Sequence, residues 1–491
     1  MTRTLYVGII TTYTIMKYGI TRTGKPIYRC QPLDPSLPPC RIVYGGEKKG
    51  KIVLVYQYTD ASTSKEDVLV ELVHVIGVAD RSHLLQTLFY HCGVHCKPFR
   101  NLVCVSEQEK NLSRIDCTSL ELFSIDPKGC RDIDDAFSLE RLSPTKTRLG
   151  VHIAQPIAFM NADMITERIQ QGAFSTLYCE PMTTETKPLW GREIETASSL
   201  LPGHIRPAYS TFFIVEATTG KILETETTSF PTRVQNRHAT HYEDIENSLV
   251  QHLVSLTSPH AQDIHDVVAF WMIQTNQYIG SAFPGLPCRV QSSSMTDSTR
   301  LGEELPITIQ NAFSQFRREK AHYSIDPENQ HHASLETERY VHFTSPIRRM
   351  MDTMIHFQIT YGIPWEWEKY LDRIDELDQA SHRFHRMCRL VGTVDDLLSE
   401  HKDDDSRPIE MMGYLYEKME RGRWRVYFER LGFLKIRVVS RELLHLFPEE
   451  EEEHDYPLGT ALPFLVYPKK EGFLPMERLL FLPGWTGLPS C

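Results

Sequence analysis

Four aspartates, Asp126, Asp132, Asp134 and Asp135, lie within one stretch of ten residues. Carboxylates this close repel one another, so a fold tolerates them only when they are solvated or neutralised by positive charge. Carboxylate oxygens on a short loop favour a hard cation such as Mg²⁺ or Mn²⁺. An acidic surface loop is the alternative, but apolar residues such as Phe137 flank the acids, which favours a position inside a domain. We therefore expect a metal site.

A second group of residues has the composition of a phosphate site. Ser345 followed by Pro346 is typical of a helix N-cap with proline at the first helical position, and the apolar residues that follow recur at helical spacing. Arg348 and Arg349 then lie in the first turn, where free N–H groups and guanidinium forks suit a phosphate. A surface salt bridge from Arg348 to Asp352 is the alternative. Beside a divalent-metal site, the phosphate role is favoured, because the two together are what phosphodiester hydrolysis requires.

Composition indicates a folded chain whose charge is unevenly distributed. Of 491 residues, 41% are hydrophobic and 24% charged, as in a globular protein, and this length corresponds to about three domains. The net charge is −11, yet residues 1–60 contain nine Lys or Arg and three acids. A basic lobe on an acidic body suits a protein that binds a polyanion at one end. The basic residues of this lobe are Arg3, Lys17, Arg22, Lys25, Arg29, Arg41, Lys48, Lys49 and Lys51.

The sequence does not have the features of a membrane or secreted protein. Its apolar stretches are shorter than the roughly 20 residues that cross a bilayer, and the N-terminus lacks the apolar core of a signal peptide. Eleven cysteines without such a signal indicate reduced thiols in an intracellular protein, and we expect a cytoplasmic location, with the nucleus as alternative. The cluster His91, Cys92, His95 and Cys96 has zinc-type ligands, but its crowded spacing favours a buried helix end.

Patterning along the chain predicts an α+β fold in several units. Short apolar runs between turns predict a small OB or cold-shock-like barrel in residues 1–82. Residues 83–114 form a connector in this interpretation, and residues 115–404 form a mixed α and β domain with a central sheet and surrounding helices. Strand patterns return in residues 405–491, after three consecutive aspartates at 403–405, and predict a second OB-like barrel.

Aromatic and basic residues in the two predicted barrels suit single-stranded nucleic acid, because bases stack on rings while phosphates meet Lys and Arg. For any one tyrosine of the first barrel, filling a strand position is an equal alternative. The acidic run at 449–453 is interpreted as a solvated loop. The tyrosines are Tyr6, Tyr13, Tyr18, Tyr28, Tyr44, Tyr56 and Tyr58, and the bases of the second barrel are Arg421, Arg423, Arg425, Arg430, Lys435 and Arg437.

At the aspartate and arginine motifs the sequence resembles the ribonuclease II (RNB) family of 3′→5′ exoribonucleases. The acidic stretch is most similar to the version in the exonuclease subunit of the eukaryotic exosome. Together the two motifs are highly specific, and the similarity extends over most of the chain. Further segments that fit are residues 151–154, 175–178, 199–206, 238–242 and 272–276.

This resemblance implies a central catalytic domain flanked by OB-type RNA-binding barrels, which agrees with the strand patterns at both ends. It implies hydrolysis of single-stranded RNA to nucleoside 5′-monophosphates, with two Mg²⁺ ions, or Mn²⁺ in their place, held by the four aspartates. Arg348 would stabilise the charge of the transition state. The implied RNA contacts are Tyr178 near the terminal nucleotide, Tyr242 near a ribose, and Ser345, Arg349 and His342; no protein partner is implied.

Several positions depart from the family pattern. Gln155 replaces an aspartate, and Ala269 and Phe270 stand where relatives have one or two acids. The interval from Tyr242 to Val267 is short and lacks the segment that gives relatives an aromatic base clamp. Arg389 lies near the place of a catalytic glutamate in bacterial relatives.

Two alternative functions remain. One is a catalytically inactive RNA-binding regulator with the same fold, which would be expected to lose aspartates that are complete here. The other is a nuclease acting on DNA, supported by the missing acids at 269 and 270 alone. An active exoribonuclease is the favoured prediction.

Overall fold

The computed structural model describes residues 4–13, 18–47, 49–59, 67–100, 103–243, 246–257, 261, 263–292, 305–401, 407–419, 423–437, 458–469 and 472–483. Several residues named above lie outside these ranges: Arg3, Lys17, Lys48, Arg421, the aspartates at 403–405 and the acidic run at 449–453.

The N-terminal strands form a closed antiparallel and parallel barrel, which confirms the first predicted barrel. Its order is β1-β2-β3-β5-β4, and β4 returns to pair with β1 so that Ile9 lies opposite Val53. Alternate residues point inward, as period-two patterning requires. The strands are β1 (Tyr6–Thr11), β2 (Ile27–Pro32), β3 (Cys40–Val43), β4 (Lys51–Gln57) and β5 (Leu69–Val78).

Four of the seven barrel tyrosines follow the alternative that they fill strand positions, and their burial leaves no ring face for a nucleobase. Tyr28, Tyr44, Tyr56 and Tyr58 are buried in the barrel interior. Edge-to-face contacts, such as the one between Tyr56 and Tyr58 at 5.8 Å, let these rings fill a narrow interior. Tyr13, which is 68% exposed, and Tyr18 keep the predicted accessibility.

The connector contains α1 (Arg81–His91) and α2 (Glu107–Lys110). Asp80 caps α1 by accepting a hydrogen bond from the backbone N–H of Ser82 at 3.0 Å. Cys92 forms the C-cap of α1 and is buried, and His95 stacks on Tyr90 with ring centroids 4.4 Å apart. The positions of Cys92 and His95 agree with the prediction that the His/Cys cluster forms a buried helix end.

The central domain is built on a mixed sheet of order β12-β9-β8-β7-β13-β6. Because β12 also pairs with β13, the strands from β7 to β13 in this sheet close on themselves. Strand β13 runs parallel to β7 and the hairpins β7–β8 and β8–β9 are antiparallel. The strands here are β6 (Ile115–Asp116), β7 (Leu122–Asp126), β8 (Asp135–Arg141), β9 (Lys146–Ala154), the short β10 (Leu177–Tyr178) and β11 (Thr186–Lys187), β12 (Ile205–Glu216) and β13 (Thr228–His241).

Helices cover this sheet and enclose the largest hydrophobic core of the described chain, which includes Phe137, Trp190, Trp271 and Phe343. Short two-stranded ribbons lie between the helices: β14 (Cys288–Val290) with β15 (His322–Ser324), and β16 (His331–His332) with β17 (Thr337–Glu338). The helices are α3 (Ala162–Gln170), α4 (Gly191–Ser198), α5 (Ser248–Thr257), α6 (Ile264–Ala282), α7 (Ile307–Arg317), α8 (Met350–Tyr361) and α9 (Leu371–Glu400).

Helix α9 ties the three units together. Its residue Phe384 stacks on Phe89 of α1 at 5.0 Å, in a core that also contains Val7 and Val53 of the barrel. Its last turns, with Val394 and Leu397, belong to the core of the C-terminal sheet. The N-terminal barrel therefore packs against the central domain through a shared apolar core and is not connected to it by the linker alone.

The C-terminal strands form a sheet of order β20-β19-β18-β21-β22; that it closes into an OB-like barrel stays a prediction. Two of its predicted phosphate-binding arginines already pair with acids, Arg425 with Glu417 and Arg430 with Glu400. In the part of the chain that the structure describes, every helix is too short or too polar to cross a membrane. The strands are β18 (Ile409–Lys418), β19 (Arg423–Phe428), β20 (Gly432–Arg437), β21 (Ala461–Pro468) and β22 (Leu479–Pro483).

Candidate active site

The aspartates lie on the loop that joins β7 to β8. Asp126 is the last residue of β7 and Asp135 the first of β8, and pairing of Phe123 with Phe137 fixes this hairpin in the sheet. Gly129 has a φ of +85°, a conformation that lets the loop turn at little steric cost. The hairpin therefore places all four carboxylates at one end of the central sheet.

The arginine motif meets this loop directly. The Asp134 carboxylate accepts a hydrogen bond from the backbone N–H of Ile347 at 2.8 Å, and its Oδ2 lies 3.3 Å from Nε of Arg348. Nη2 of Arg348 donates to Oγ of Ser345 at 2.9 Å. The two motifs, more than two hundred residues apart in sequence, thus form one site.

The predicted helix start at this motif is wrong. Helix α8 begins at Met350, and the residues from Ser345 to Arg349 form a turn and an extended residue before it. The backbone N–H of Met350 donates to the carbonyl of Phe174 at 2.8 Å, and that of Thr176 donates to the carbonyl of Arg348 at 3.0 Å. This strand-like pairing holds Arg349 at φ −129°, outside the helical region, which sequence patterning alone does not reveal.

Arg349 and Asp352 form a second ion pair behind the first. Nη2 of Arg349 lies 3.0 Å from Oδ1 of Asp352, a carboxylate that is fully buried and also accepts from the backbone N–H of Ser345 at 2.8 Å. The predicted alternative pair, Arg348 with Asp352, is replaced by Arg349 with Asp352. This arrangement leaves Arg348, whose side chain is 45% exposed, at the cavity wall.

Burial and mutual repulsion disfavour the ionised form of Asp126, Asp134 and Asp135. Burial, together with repulsion from a neighbouring carboxylate, raises the pKa of Asp126 to about 6 and that of Asp135 to about 7. Burial also raises the pKa of Asp134 well above its usual value, against the lowering effect of Arg348. A bound cation would relieve this cost, because it favours the ionised carboxylates.

The donor set suits a hard divalent cation. Oδ2 of Asp126 and Oδ2 of Asp134 are buried without a hydrogen-bond partner, and all four carboxylates line the same cavity. Among the described residues, however, no three His, Cys, Asp or Glu side chains already converge as ligands of one ion. The residues thus fit a magnesium site by chemistry and placement, and their side chains must turn toward an ion to bind it.

The cavity beside the aspartates has a volume of about 550 Å³. It contains most of the predicted site residues: Asp126, Asp132, Asp134, Asp135, Tyr178, Tyr242, Ser345, Arg348 and Arg349. The predicted residue His342 lines a neighbouring cavity of about 770 Å³, which shares Tyr178, Tyr340, Arg348 and Arg349 with the first. There Nδ1 of His342 lies 2.6 Å from the Tyr323 hydroxyl.

Comparison with known proteins identifies the family of this chain. The RNB domain family matches residues 114–279 and 293–362, a region that contains both motifs. The chain belongs to the RNB family.

Its relatives include named exoribonucleases. The human 3′-5′ exoribonuclease HELZ2 is 31% identical over 142 residues, 28% of this chain and 5% of that protein. Exosome complex exonuclease RRP44 homolog A of Arabidopsis thaliana is 34% identical over 100 residues, 18% of this chain and 11% of that protein. The alignments span only a small part of these relatives.

Solved structures show the same fold. Mycoplasma genitalium RNase R, in complex with ribose-methylated single-stranded RNA, matches 98% of this chain and 90% of its own, with a TM-score of 0.73 at 14% identity. Yeast Ssd1, described as a pseudonuclease, matches 89% of this chain and 65% of its own, with a TM-score of 0.66 at 13% identity. The same architecture is therefore found in an RNase R and in a protein described as a pseudonuclease.

Two tyrosines of the RNB site hold distinct positions at the cavity. The Tyr178 hydroxyl donates to Asp132, and its ring lies 6.3 Å from that of His385. Tyr242 stacks on His265 at the start of α6, with centroids 4.0 Å apart. Tyr178 therefore orders an acid, while Tyr242 forms part of the wall that faces α6.

Gln155, which departs from the family aspartate, lies in a buried network behind the site. Its Oε1 accepts from Arg114 at 2.5 Å and its Nε2 donates to Thr360 at 2.8 Å. Arg114 forms two contacts with Glu109, at 2.6 Å and 2.7 Å, so this connector residue supplies the negative charge that the neutral Gln155 lacks. The positive charge of Arg114 is thus paired within this network although residue 155 is neutral.

Sequence reasoning noted Arg389 but missed two histidines of α9 that line the larger cavity with it. His382, His385 and Arg389 line the larger cavity together with Arg289, whose Nη2 lies 2.6 Å from Oδ2 of Asp378. Their spacing of three and four residues along one helix was a usable signal, because it places them on one face.

Proposed function

We propose that this protein is a hydrolytic 3′→5′ exoribonuclease that releases nucleoside 5′-monophosphates from single-stranded RNA. The observation that carries the proposal is the shared cavity, in which four carboxylates surround an arginine that is oriented by a hydrogen bond to Ser345 and an ion pair with Asp134. Carboxylates and an arginine around one phosphate are the groups that phosphodiester hydrolysis uses.

Asp126, Asp132, Asp134 and Asp135 would hold Mg²⁺, most simply two ions, with Mn²⁺ as a substitute. Bound there, the metal supplies an activated water and neutralises charge on the phosphate oxygens. Asp134 accepts from Ile347 through Oδ1, which leaves Oδ2 for the cation or for Arg348. Tyr178 donates to Asp132 and holds its carboxylate toward the same space.

Arg348 binds the reacting phosphate. Its guanidinium is attached to Ser345 and lies beside Asp134, so little reorganisation is needed when negative charge develops. Arg349 is committed to the buried Asp352 and holds the turn before α8 in place. Arg348 therefore acts on substrate, while Arg349 acts mainly through the backbone that carries Arg348.

The larger cavity is the path of the RNA strand in this proposal. It joins the active site through the residues that both cavities share, and its wall carries Arg289, Arg389 and several histidines. Cationic and aromatic groups of this kind meet phosphates and bases of a single strand without reading sequence. Mycoplasma genitalium RNase R, which has the same fold, is solved with single-stranded RNA.

The reducing interior of the cell suits the thiols of this chain. Cysteines such as Cys30 and Cys40 lie directly opposite each other on β2 and β3 and are both free. Unpaired thiols indicate an intracellular protein, and we propose a cytoplasmic location.

The test is incubation of the purified protein with 5′-labelled RNA and Mg²⁺, followed by sizing of the products. A ladder that shortens from the 3′ end, with release of nucleoside 5′-monophosphates, supports the proposal. Full-length RNA after prolonged incubation, or internal fragments, contradicts it.

An inactive RNA-binding regulator is the second candidate. Two observations favour it: no described set of side chains is preformed around an ion, and the pseudonuclease Ssd1 has the same fold. In that case the protein binds the labelled RNA tightly and leaves it intact at every metal concentration.

A further inference from the structure

One wall of the cavity that contains the aspartates is apolar. It is formed by α6, whose cavity-lining residues are Val268, Ala269, Met272, Ile273 and Asn276. Ala269 is exposed to this space, whereas its neighbour Phe270 packs edge-to-face on Trp271 at 5.1 Å and belongs to the rim of the core. Position 269, and not 270, thus decides the chemistry of this part of the wall.

The polar residue of the wall is already engaged. Oδ1 of Asn276 accepts from the backbone N–H of Phe343 at 2.9 Å, and its Nδ2 donates to the Tyr340 hydroxyl at 3.0 Å. Since Asn276 is 1% exposed, a substrate gains no hydrogen bond from it. A ribose on this side of the cavity therefore meets methyl and methylene groups from α6.

Tyr242 contributes a hydroxyl-bearing side chain to this cavity, next to α6. Its ring is fixed against His265, four residues before Ala269 and so on the same face of α6. Burial raises the pKa of Tyr242 to about 12, with Asp135 and Asp126 as further causes, so the hydroxyl keeps its proton and can donate. A donor reads the 2′ oxygen as an acceptor.

We propose that this cavity accepts 2′-O-methylated ribose, so that the protein degrades RNA through 2′-O-methyl nucleotides. A 2′-O-methyl ether keeps the oxygen that accepts a hydrogen bond from Tyr242, and its methyl group lies against Ala269 and the apolar side chains of α6. A carboxylate at position 269 would instead need a 2′-hydroxyl donor and would be left unpaired beside the methyl group. This inference rests on the proposed exoribonuclease function and names its substrate class.

The arrangement predicts an unusual order of preference. Ribose and 2′-O-methyl ribose both offer the acceptor, so passage through one 2′-O-methyl nucleotide should slow by less than about threefold. A 2′-deoxy nucleotide lacks the acceptor, so passage through it should slow by up to about tenfold. The protein should therefore discriminate against a nucleotide that lacks the 2′ oxygen more strongly than against one whose 2′ oxygen carries a methyl group.

The experiment compares three 5′-labelled RNAs that differ at one internal nucleotide, which carries a 2′-hydroxyl, a 2′-O-methyl or a 2′-deoxy sugar. Degradation through the methylated nucleotide, with a stronger pause at the deoxy nucleotide, is the expected result. A product that accumulates at the methylated nucleotide while unmodified RNA is fully degraded overturns the inference and leaves the proposed function intact.

Variants at α6 locate the effect. Ala269→Glu should slow passage through the methylated nucleotide by at least about tenfold more than passage through unmodified RNA. Ala282→Glu, at the exposed last residue of the same helix, should not change this ratio. An unchanged ratio in Ala269→Glu, with the fold confirmed by circular dichroism, contradicts the role assigned to Ala269.

Binding distinguishes failure of this inference from failure of the proposed function. In EDTA, short RNAs whose last two nucleotides carry 2′-hydroxyl or 2′-O-methyl groups should bind with affinities within about threefold of each other. That result supports the methyl-accepting wall even if unmodified RNA is never cut. A loss of tenfold or more for the methylated RNA overturns it whether or not the protein is active.

Discussion

Arg348 and Asp134, which come from the two different motifs of the candidate active site, approach to 3.3 Å, Nε to Oδ2. The same carboxylate accepts from the backbone N–H of Ile347 through Oδ1. The arginine motif and the aspartate loop are thus held at a fixed separation. A change in either motif should therefore alter both the proposed metal site and the position of the Arg348 guanidinium.

Replacing Asp134 or Asp135 by Asn should abolish hydrolysis and leave RNA binding within about threefold of the wild type. An amide oxygen at 134 still accepts from Ile347, so the loop should keep its shape, but the charge that holds the cation is lost. Cleavage of labelled RNA and anisotropy binding without metal measure the two effects. Asp163→Asn, at an exposed acid in the first turn of α3, is the control. RNA hydrolysis by the variant that carries both Asp134→Asn and Asp135→Asn would contradict the proposal that these aspartates bind the metal.

Arg348→Ala should lower turnover by roughly 10²–10³-fold, the usual size for loss of one transition-state donor. Arg348→Lys should recover part of this loss, because it restores charge without the guanidinium fork. Single-turnover rates at saturating RNA give the measurement, and Arg141→Ala, at the exposed end of β8, is the control. If the loss appears only in RNA affinity, Arg348 is a binding residue.

Arg349→Ala should affect stability more than Arg348→Ala does. It leaves Asp352, which is fully buried, without its cation, and breaking a buried pair in this way costs about 3–5 kcal/mol. Denaturant midpoints of the two variants, fitted with a common slope, provide the comparison. Equal midpoints would show that Ser345 and its neighbours satisfy Asp352 without Arg349.

Magnesium should stabilise the protein more at high pH than at low pH. The pKa of Asp126 is about 6 and that of Asp135 about 7 in the fold, against 3.8 for a free aspartate. The folded state therefore holds protons that the unfolded chain releases, so this pair disfavours the metal-free fold increasingly as pH rises from about 4 to about 7. Mg²⁺ binds the ionised carboxylates, and its effect on Tm should grow over the same range.

Thermal melts at about pH 5 and about pH 8, each with Mg²⁺ or EDTA, test this dependence. The double variant Asp126→Asn with Asp135→Asn should lose the Mg²⁺ effect at both pH values. If Mg²⁺ changed the Tm of the wild type equally at both pH values, the cation would not be bound by Asp126 and Asp135.

Neutralising the basic lobe should weaken RNA binding and flatten its salt dependence. Arg22, Lys25 and Arg29 are exposed on the barrel, and each lost phosphate contact should reduce the slope of log K against log salt by about 0.7. Replacing all three by Gln is preferable to deleting residues 1–80, because the barrel shares its core with α1 and α9. The control replaces Lys110, Lys146 and Lys369, which pair with acids. An unchanged slope would show that these three basic residues do not contact the RNA.

The sequence by itself determined the chemistry of the site and the type of its surroundings. Four aspartates in ten residues and two arginines after a Ser-Pro pair predicted both halves of the candidate active site, because charge density and turn residues act locally. Alternating apolar residues predicted the N-terminal barrel for the same reason, since strand patterning is a property of neighbours in sequence.

The tertiary structure alone decided how these parts are used. Because the segment before α8 pairs in a strand-like way with Phe174 and Thr176, α8 starts later than the sequence predicts. The buried Asp352 forms its ion pair with Arg349, so the Arg348 side chain lines the cavity instead. Four of the barrel tyrosines, Tyr28, Tyr44, Tyr56 and Tyr58, became part of the barrel core, where they pack against one another and against aliphatic side chains. Each outcome depends on contacts between segments far apart in the chain, whose partners local pattern cannot supply.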